Sequence, residues 1–150
     1  MIKRSLPALL VCLAAACSDE SAPTEPVNGL PYAVATNSCG PADGAMVAIV
    51  LAAQPVEALQ PVAPYVQIHI QGSFDALSAG AVFPISESYQ DANAWFHGSG
   101  VERTANGGEI GVTSRTSTAI AGYVDLRFPD GVRLRGTFSA AWEPRQLLCG

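Results

Sequence analysis

Catalysis and metal binding need nucleophiles, proton carriers or soft ligands held close together, and this chain offers few. It has two histidines, His69 and His97, and four cysteines, and its sole lysine is Lys3. The histidines fall on separate segments without the H-x-x-x-H spacing that turns two imidazoles toward one metal on a helix. Neither Cys39 nor Cys149 has a second Cys or His at ligand spacing, so no metal and no cofactor is expected. Gly98-Ser99-Gly100 does not make a G-x-S-x-G nucleophile elbow. No G-x-x-x-x-G-K-[ST] loop is present to cradle phosphate. Thirteen acids always contain some pair that could serve a glycoside hydrolase, so their number alone carries no signal. The chain reads as a non-enzyme. A small hydrolase or metalloprotein would require His69 and His97 within about 5 Å of each other or of shared carboxylates.

Binding is the stronger reading of the side chains. Tyr65 and Tyr123 are expected on outer sheet faces, His69 shares a face with Gln67 and Gln71, and Trp95 shares one with Asn93 and His97. Exposed aromatics beside amides suit sugar or peptide recognition. Tyr65, His69, Trp95 and Tyr123 are therefore the candidate ligand residues, with a glycan or protein partner. The competing reading makes Trp95 and Trp142 ordinary core residues and His69 part of a solvated face. Arg133 and Arg135, on one face, could meet an anionic partner or only Asp125. A net charge of −5 and a pI near 4.8 exclude nucleic acid, which needs a basic stripe.

These residues must be positioned by strands. The 14 glycines and 11 prolines favour turns over long helices, while 49% hydrophobic residues suffice for a core. Residues 120–128 place Ile120, Gly122, Val124, Leu126 and Phe128 on one face. Residues 132–142 do the same with Leu134, Gly136, Phe138, Ala140 and Trp142. This period of two is that of half-buried strands. Pro129-Asp130-Gly131 joins them as a three-residue hairpin loop with Gly131 left-handed. Pairing Phe128 with Val132 sets Asp125 opposite Arg135. Val66, Ile68 and Ile70 alternate with Tyr65, Gln67, His69 and Gln71 in another strand. Residues 45–53 are apolar on both faces, as a central strand or short helix would be, and the closely spaced Pro41, Gly44 and Pro55 favour the strand. Residues 81–85 form a short edge strand, since Pro84 cannot donate to a ladder. Residues 92–97 and 108–115 are expected to pair through Asn106-Gly107-Gly108. The result is an all-β fold, a small antiparallel sandwich or barrel-like meander.

The first 16 residues form an address. Lys3 and Arg4 precede an eleven-residue apolar run from Leu6 to Ala16, the length of a signal h-region and too short to span a bilayer. Ala14, Ala15 and Ala16 lead directly into Cys17. This junction resembles the lipobox of bacterial lipoproteins. The resemblance implies cleavage before Cys17 and acylation of its thiol, with the membrane as partner through that anchor. That family usually has Leu where Ala14 stands, and an ordinary signal peptidase reading small-x-small would cut at the same bond. Ser18, directly after the Cys, resembles lipoproteins sorted to the outer membrane. Two or more acyl chains anchor stably where one is marginal. Loss of Lys3 and Arg4 leaves six basic residues against 13 acids, about −7, so the lipid and not the charge must hold the protein at a membrane.

Residues 17–31, with Pro23, Pro26, Asp19, Glu20 and Glu25, read as a flexible acidic spacer, and residues 32–150 as the domain. In an exported chain Cys12 leaves with the leader and Cys17 is the anchor. Cys39 and Cys149 remain, and they are expected to form a disulfide. The domain also resembles a diffuse set of small bacterial lipoproteins. They share a G-x-[VIL]-x-[IL] strand, here Gly122-Tyr123-Val124-Asp125-Leu126. They also share an ending like Asp130-Gly131 through Leu134, Gly136, Phe138 and Ala140 near a final Cys. The likeness covers about the last thirty residues and brings no activity with it.

Overall fold

The computed structural model describes residues 21–57, 59–88 and 90–147. Among these residues nine strands follow one another: β1 Tyr32–Cys39, β2 Ala45–Ala52, β3 Tyr65–Gln71, β4 Val82–Pro84, β5 Ala92–Gly98, β6 Val101–Thr104, β7 Gly107–Arg115, β8 Ala119–Arg127 and β9 Arg133–Trp142. They build one mixed sheet in the order β4-β7-β8-β9-β1-β2-β3-β5-β6, curled into a half-barrel. The fold is all-β. No helix among the described residues is long and apolar enough to cross a membrane.

Alternation decides what lies inside the curl. Val66, Ile68 and Ile70 of β3 are fully buried and pair with Leu51, Ile49 and Val47 of β2. Ile120, Val124 and Leu126 of β8 join them in one continuous core. At about 25 cal/mol for each Å² of apolar surface removed from water, this inner face is the main stabilising term. Strand β2 is buried along nearly its whole length, on both faces. Its second face meets Val34 and is covered by Val56, Leu59 and Tyr65, so a run apolar on both sides is what this place requires. The hairpin β8–β9 forms as the turn residues dictate. Phe128 N donates to Val132 O at 2.9 Å, Gly131 has φ +81°, and Asp125 stands opposite Arg135.

Three expectations need correction. The sheet is not wholly antiparallel. Among the named strands, β1 and β9 run parallel, with Val34 opposite Ala141 and Ala35 opposite Trp142. This seam joins two antiparallel halves, β4-β7-β8-β9 and β1-β2-β3-β5-β6.

The spacer expected over residues 17–31 is partly a piece of the fold. Val27 N donates to Thr137 O at 3.1 Å and Thr137 N to Glu25 O at 2.7 Å, with Val27 and Leu30 buried in the core. The pairing of β1 with β9 stops at Val34, which leaves the ladder groups of Thr137 to be satisfied by residues 25–27. Gly136 makes the approach possible, because a Cβ there would collide with the backbone of Pro26 and Val27. Two apolar side chains are enough to dock an otherwise polar run.

Asn106-Gly107-Gly108 is not the turn of a hairpin. β5 pairs with β6 through the tighter Ser99-Gly100 connection, in which Gly100 has φ +78°. β7 pairs with β8 and β4. The Asn-Gly-Gly run carries the chain across the opening, with Ala105 N bonded to Ala94 O and Asn106 N to Arg127 O, both at 2.9 Å. Gly108, at φ +113°, is needed because a Cβ would strike the carbonyl of Asp125. The glycine signal marked close backbone approach and not reversal. Ile85 completes the curl by bridging to Ala92 of β5, beyond the edge strand β4.

Candidate functional site

Strands β3, β5 and β6 set three cross-strand rows on the outer face. Tyr65 lies opposite His97, which lies opposite Glu102. Gln67 lies opposite Trp95, which lies opposite Thr104. His69 lies opposite Asn93. Directly opposed residues bring their Cβ atoms to about 5 Å, so each row is a contact and adjacent rows overlap through the long side chains.

The contacts follow. The Tyr65 and His97 rings stack at 4.5 Å between centroids with 19° between their planes. His69 meets Trp95 edge to face at 5.0 Å. Gln67 Nε2 donates to His69 Nε2 at 2.7 Å, which puts the ring proton of neutral His69 on Nδ1. Burial holds His69 below its ordinary value near 6.5, because the charged ring would lose hydration with no partner carboxylate. His97 Nδ1 lies 3.6 Å from Glu102 Oε2. Asn93 is 1% exposed, and its Oδ1 has no hydrogen-bond partner among the described residues.

Three of the four candidate ligand residues, Tyr65, His69 and Trp95, therefore come together on one half-buried face. Tyr123 does not join them. It lies on β8, in the other half of the sheet, with its ring across Gly111, where a Cβ would collide with it. Its hydroxyl donates to Glu109 Oε1 at 2.7 Å. That bond, burial and the nearby charges of Glu109 and Asp125 all raise the Tyr123 pKa. The same aromatic type thus serves as cover for a glycine. Trp142 belongs to the core edge, stacked on Phe74 at 3.9 Å, so the core reading holds for Trp142 and not for Trp95. Sequence reasoning missed Glu102 and Thr104, because β6 is only four residues long. Its signal was Gly98-Ser99-Gly100, a hairpin turn.

The rows also separate the two imidazoles. His69 stands level with Asn93 and His97 with Tyr65, four residues apart along β3, or about 13 Å at strand rise. That distance does not form the shared site a hydrolase or metalloprotein would draw from this pair. Among the described residues no group of three His, Cys, Asp or Glu side chains could hold a metal ion.

On the second half of the sheet, Asp125 Oδ1 accepts from Arg133 Nε at 2.7 Å, and Arg135 Nε lies 3.4 Å from Oδ2. The Arg133 bond, with the charges of Arg133, Arg135 and Arg127, holds Asp125 below the ordinary carboxylate range. Cys39, the last residue of β1, is not a free thiol. Cys149 and Cys17 lie outside the described residues. No family model matches the chain, and no curated protein or solved structure matches it.

Proposed function

We propose that this chain is an exported, non-catalytic envelope lipoprotein, acylated at Cys17, held at the outer membrane and acting as a structural or interaction module. The leader carries the anchoring part of this reading. The interaction part rests on one observation: Tyr65, Gln67, His69, Trp95 and His97 form a contiguous, half-buried aromatic and amide face on regular strands. Strand backbones hold such a face in place before a ligand arrives, so little ordering entropy opposes binding. Ring faces stack on sugars or peptide side chains, and the amides supply directional bonds.

That face favours a glycan- or peptide-binding module as the specific form of the reading. Mass spectrometry of the protein purified from membranes tests the anchor. The expected product begins at Cys17 and carries a diacylglyceryl group, and an unmodified Cys17 would overturn lipidation. A glycan and peptide array tests the face. Ligands retained by the parent are lost with Trp95→Ala and Tyr65→Ala. No retained ligand would end the binding reading.

A Cys39–Cys149 disulfide belongs to the same proposal. Its support is the course of the chain after β9. Glu143 N donates to Ala35 O at 2.8 Å, Thr36 Oγ1 to Glu143 O at 2.7 Å and Asn37 Nδ2 to Arg145 O at 2.7 Å. The C-terminal segment thus runs beside β1, in the same direction, toward Cys39. The bridge would close a loop of about 110 residues, worth roughly 4–5 kcal/mol in the chain-entropy model.

A further inference from the structure

The chain enters the described fold at one end of the half-barrel. The guanidinium of Arg135, near the start of β9, donates to the carbonyl of Ser21. Glu25 and Val27 then bond to Thr137, further along the same strand. Residues 21–27 therefore run beside β9 from its beginning, and Ser21 lies close to the β8–β9 turn. Three residues, Ser18, Asp19 and Glu20, separate Ser21 from Cys17. An extended chain covers at most about 3.5 Å per residue, so an acyl anchor on Cys17 holds Ser21 within about 14 Å of its attachment point.

Two other connections reach the same end. Arg103 Nε lies 2.8 Å from Asp130 Oδ2 in the β8–β9 turn, and Phe96 meets Phe128 edge to face at 6.4 Å. β5 and β6 run on from there to their own turn, where Gly98 pairs with Val101. Tyr65 opens β3 opposite His97, one pair short of that turn, so the β2–β3 connection projects there as well. Each connection exposes a valine. Val62 is 56% exposed, and Val101 and Val132 are each 45% exposed. Single exposed apolar residues are ordinary. Here three occupy three different connections at the end where the anchor segment enters. At the opposite end, among the described residues, the β1–β2 and β7–β8 connections expose no large apolar side chain, and Leu147 of the C-terminal segment is 37% exposed.

Charge does not select the partner. Glu87, Glu102 and Asp130 gather beside Arg103 at this end, and the whole chain is acidic, so attraction to anionic lipid is not the driving force. Apolar side chains among charged ones suit the headgroup boundary of a zwitterionic bilayer, where both kinds keep favourable surroundings.

We infer that this end of the half-barrel rests on a zwitterionic lipid bilayer, with Val62, Val101 and Val132 in the interface. The β7–β8 turn and the C-terminal segment then face away from the lipid. The inference rests on the proposed acylation of Cys17. A three-residue leash sets which end meets the bilayer, and the valines hold it there.

The test uses the acylated protein purified from membranes and reconstituted in phosphatidylcholine vesicles that carry a nitroxide on the headgroup. A fluorescent dye is attached through Ser99→Cys in the β5–β6 turn or through Ser117→Cys in the β7–β8 turn, both exposed positions. The nine residues of β8 put about 30 Å of strand between the two ends. The nitroxide should quench the dye at position 99 several-fold more than the dye at position 117. Combining Val62→Ser, Val101→Ser and Val132→Ser should remove most of that difference, and Val132→Ser alone should reduce it if the combined variant does not fold. A Cys17 without acyl groups in mass spectrometry would end the anchoring reading and this inference with it. In acylated protein, equal quenching at the two positions, or quenching at position 99 unchanged by the valine substitutions, would overturn the inference alone and leave the anchor standing.

Discussion

The two halves of the sheet turn similar residues to opposite uses. On β8, Tyr123 lies flat on Gly111 and gives its hydroxyl to Glu109, while Asp125 is held by Arg133 and Arg135. The Tyr123 hydroxyl and the Asp125 carboxylate both find their partners within the sheet. On β3 and β5, Tyr65 stacks on His97, Trp95 meets the edge of His69, and the buried Asn93 Oδ1 lacks a bond among the described residues. The alternation that turns these side chains outward is the same in both places. The difference is the neighbour: a glycine on the next strand draws the Tyr123 ring down onto the backbone, whereas His97 on the next strand stacks on the Tyr65 ring. An outward aromatic is thus a better candidate for binding where the adjacent strand gives it a ring to stack on than where it must cover a glycine.

The largest test of this contrast is the seam that joins the halves. β1 and β9 share only two parallel residue pairs, Val34–Ala141 and Ala35–Trp142, so the proposed Cys39–Cys149 bridge would bear heavily on holding them together. Replacing Cys39 by Ser should lower stability by about 4–5 kcal/mol, read by urea unfolding of the oxidised protein. Reducing agent should lower the parent's Tm and leave the variant's unchanged.

Next comes Gly111→Ala. The new methyl group meets the Tyr123 ring, which must swing away and give up its bond to Glu109. A loss of roughly 1–3 kcal/mol is expected, and the raised Tyr123 pKa should return toward its ordinary value in ultraviolet titration. An unchanged Tyr123 titration would remove the distinction drawn between the two faces.

Two smaller effects depend on pH and act in different windows. The folded Asp125 carboxyl lies below its unfolded value, so the unfolded chain takes up the proton first on acidification. Its contribution is complete above about pH 4 and is lost as pH falls through the folded pKa. Asp125→Asn should flatten that acid limb of the urea midpoint. Folded His69 also lies below its unfolded value, here through burial. Its contribution is complete above about pH 6.5 and declines as pH falls toward the folded pKa, because the unfolded ring binds the proton more readily. His69→Gln should remove that slope and leave the Asp125 limb in place.

Much of the fold was legible because period-two patterns report directly on which face is buried. The strands around Ile68 and Val124, the turn at Gly131 and the Asp125–Arg135 register all followed from local spacing. Of the candidate face, Tyr65, His69 and Trp95 were legible as outward residues on two strands. Their meeting was not, since strand neighbours depend on the order of the sheet, and the Asn106-Gly107-Gly108 signal pointed to the wrong partner for β5. Residues 25–30 read as spacer because composition cannot show that Gly136 leaves a slot for Pro26 and Val27.

By itself, then, the amino-acid sequence determined the element type and the inward face of β3, β8 and β9, because both are set by residues two apart, while β1 was not read as a strand at all. It also carries the apolar run and the small-residue junction at Cys17 on which the proposal of export rests. Only the tertiary structure decided the parallel seam and the separation of Tyr123 from Tyr65. Those arrangements depend on which distant strands become neighbours when the sheet curls, and no local spacing encodes that choice.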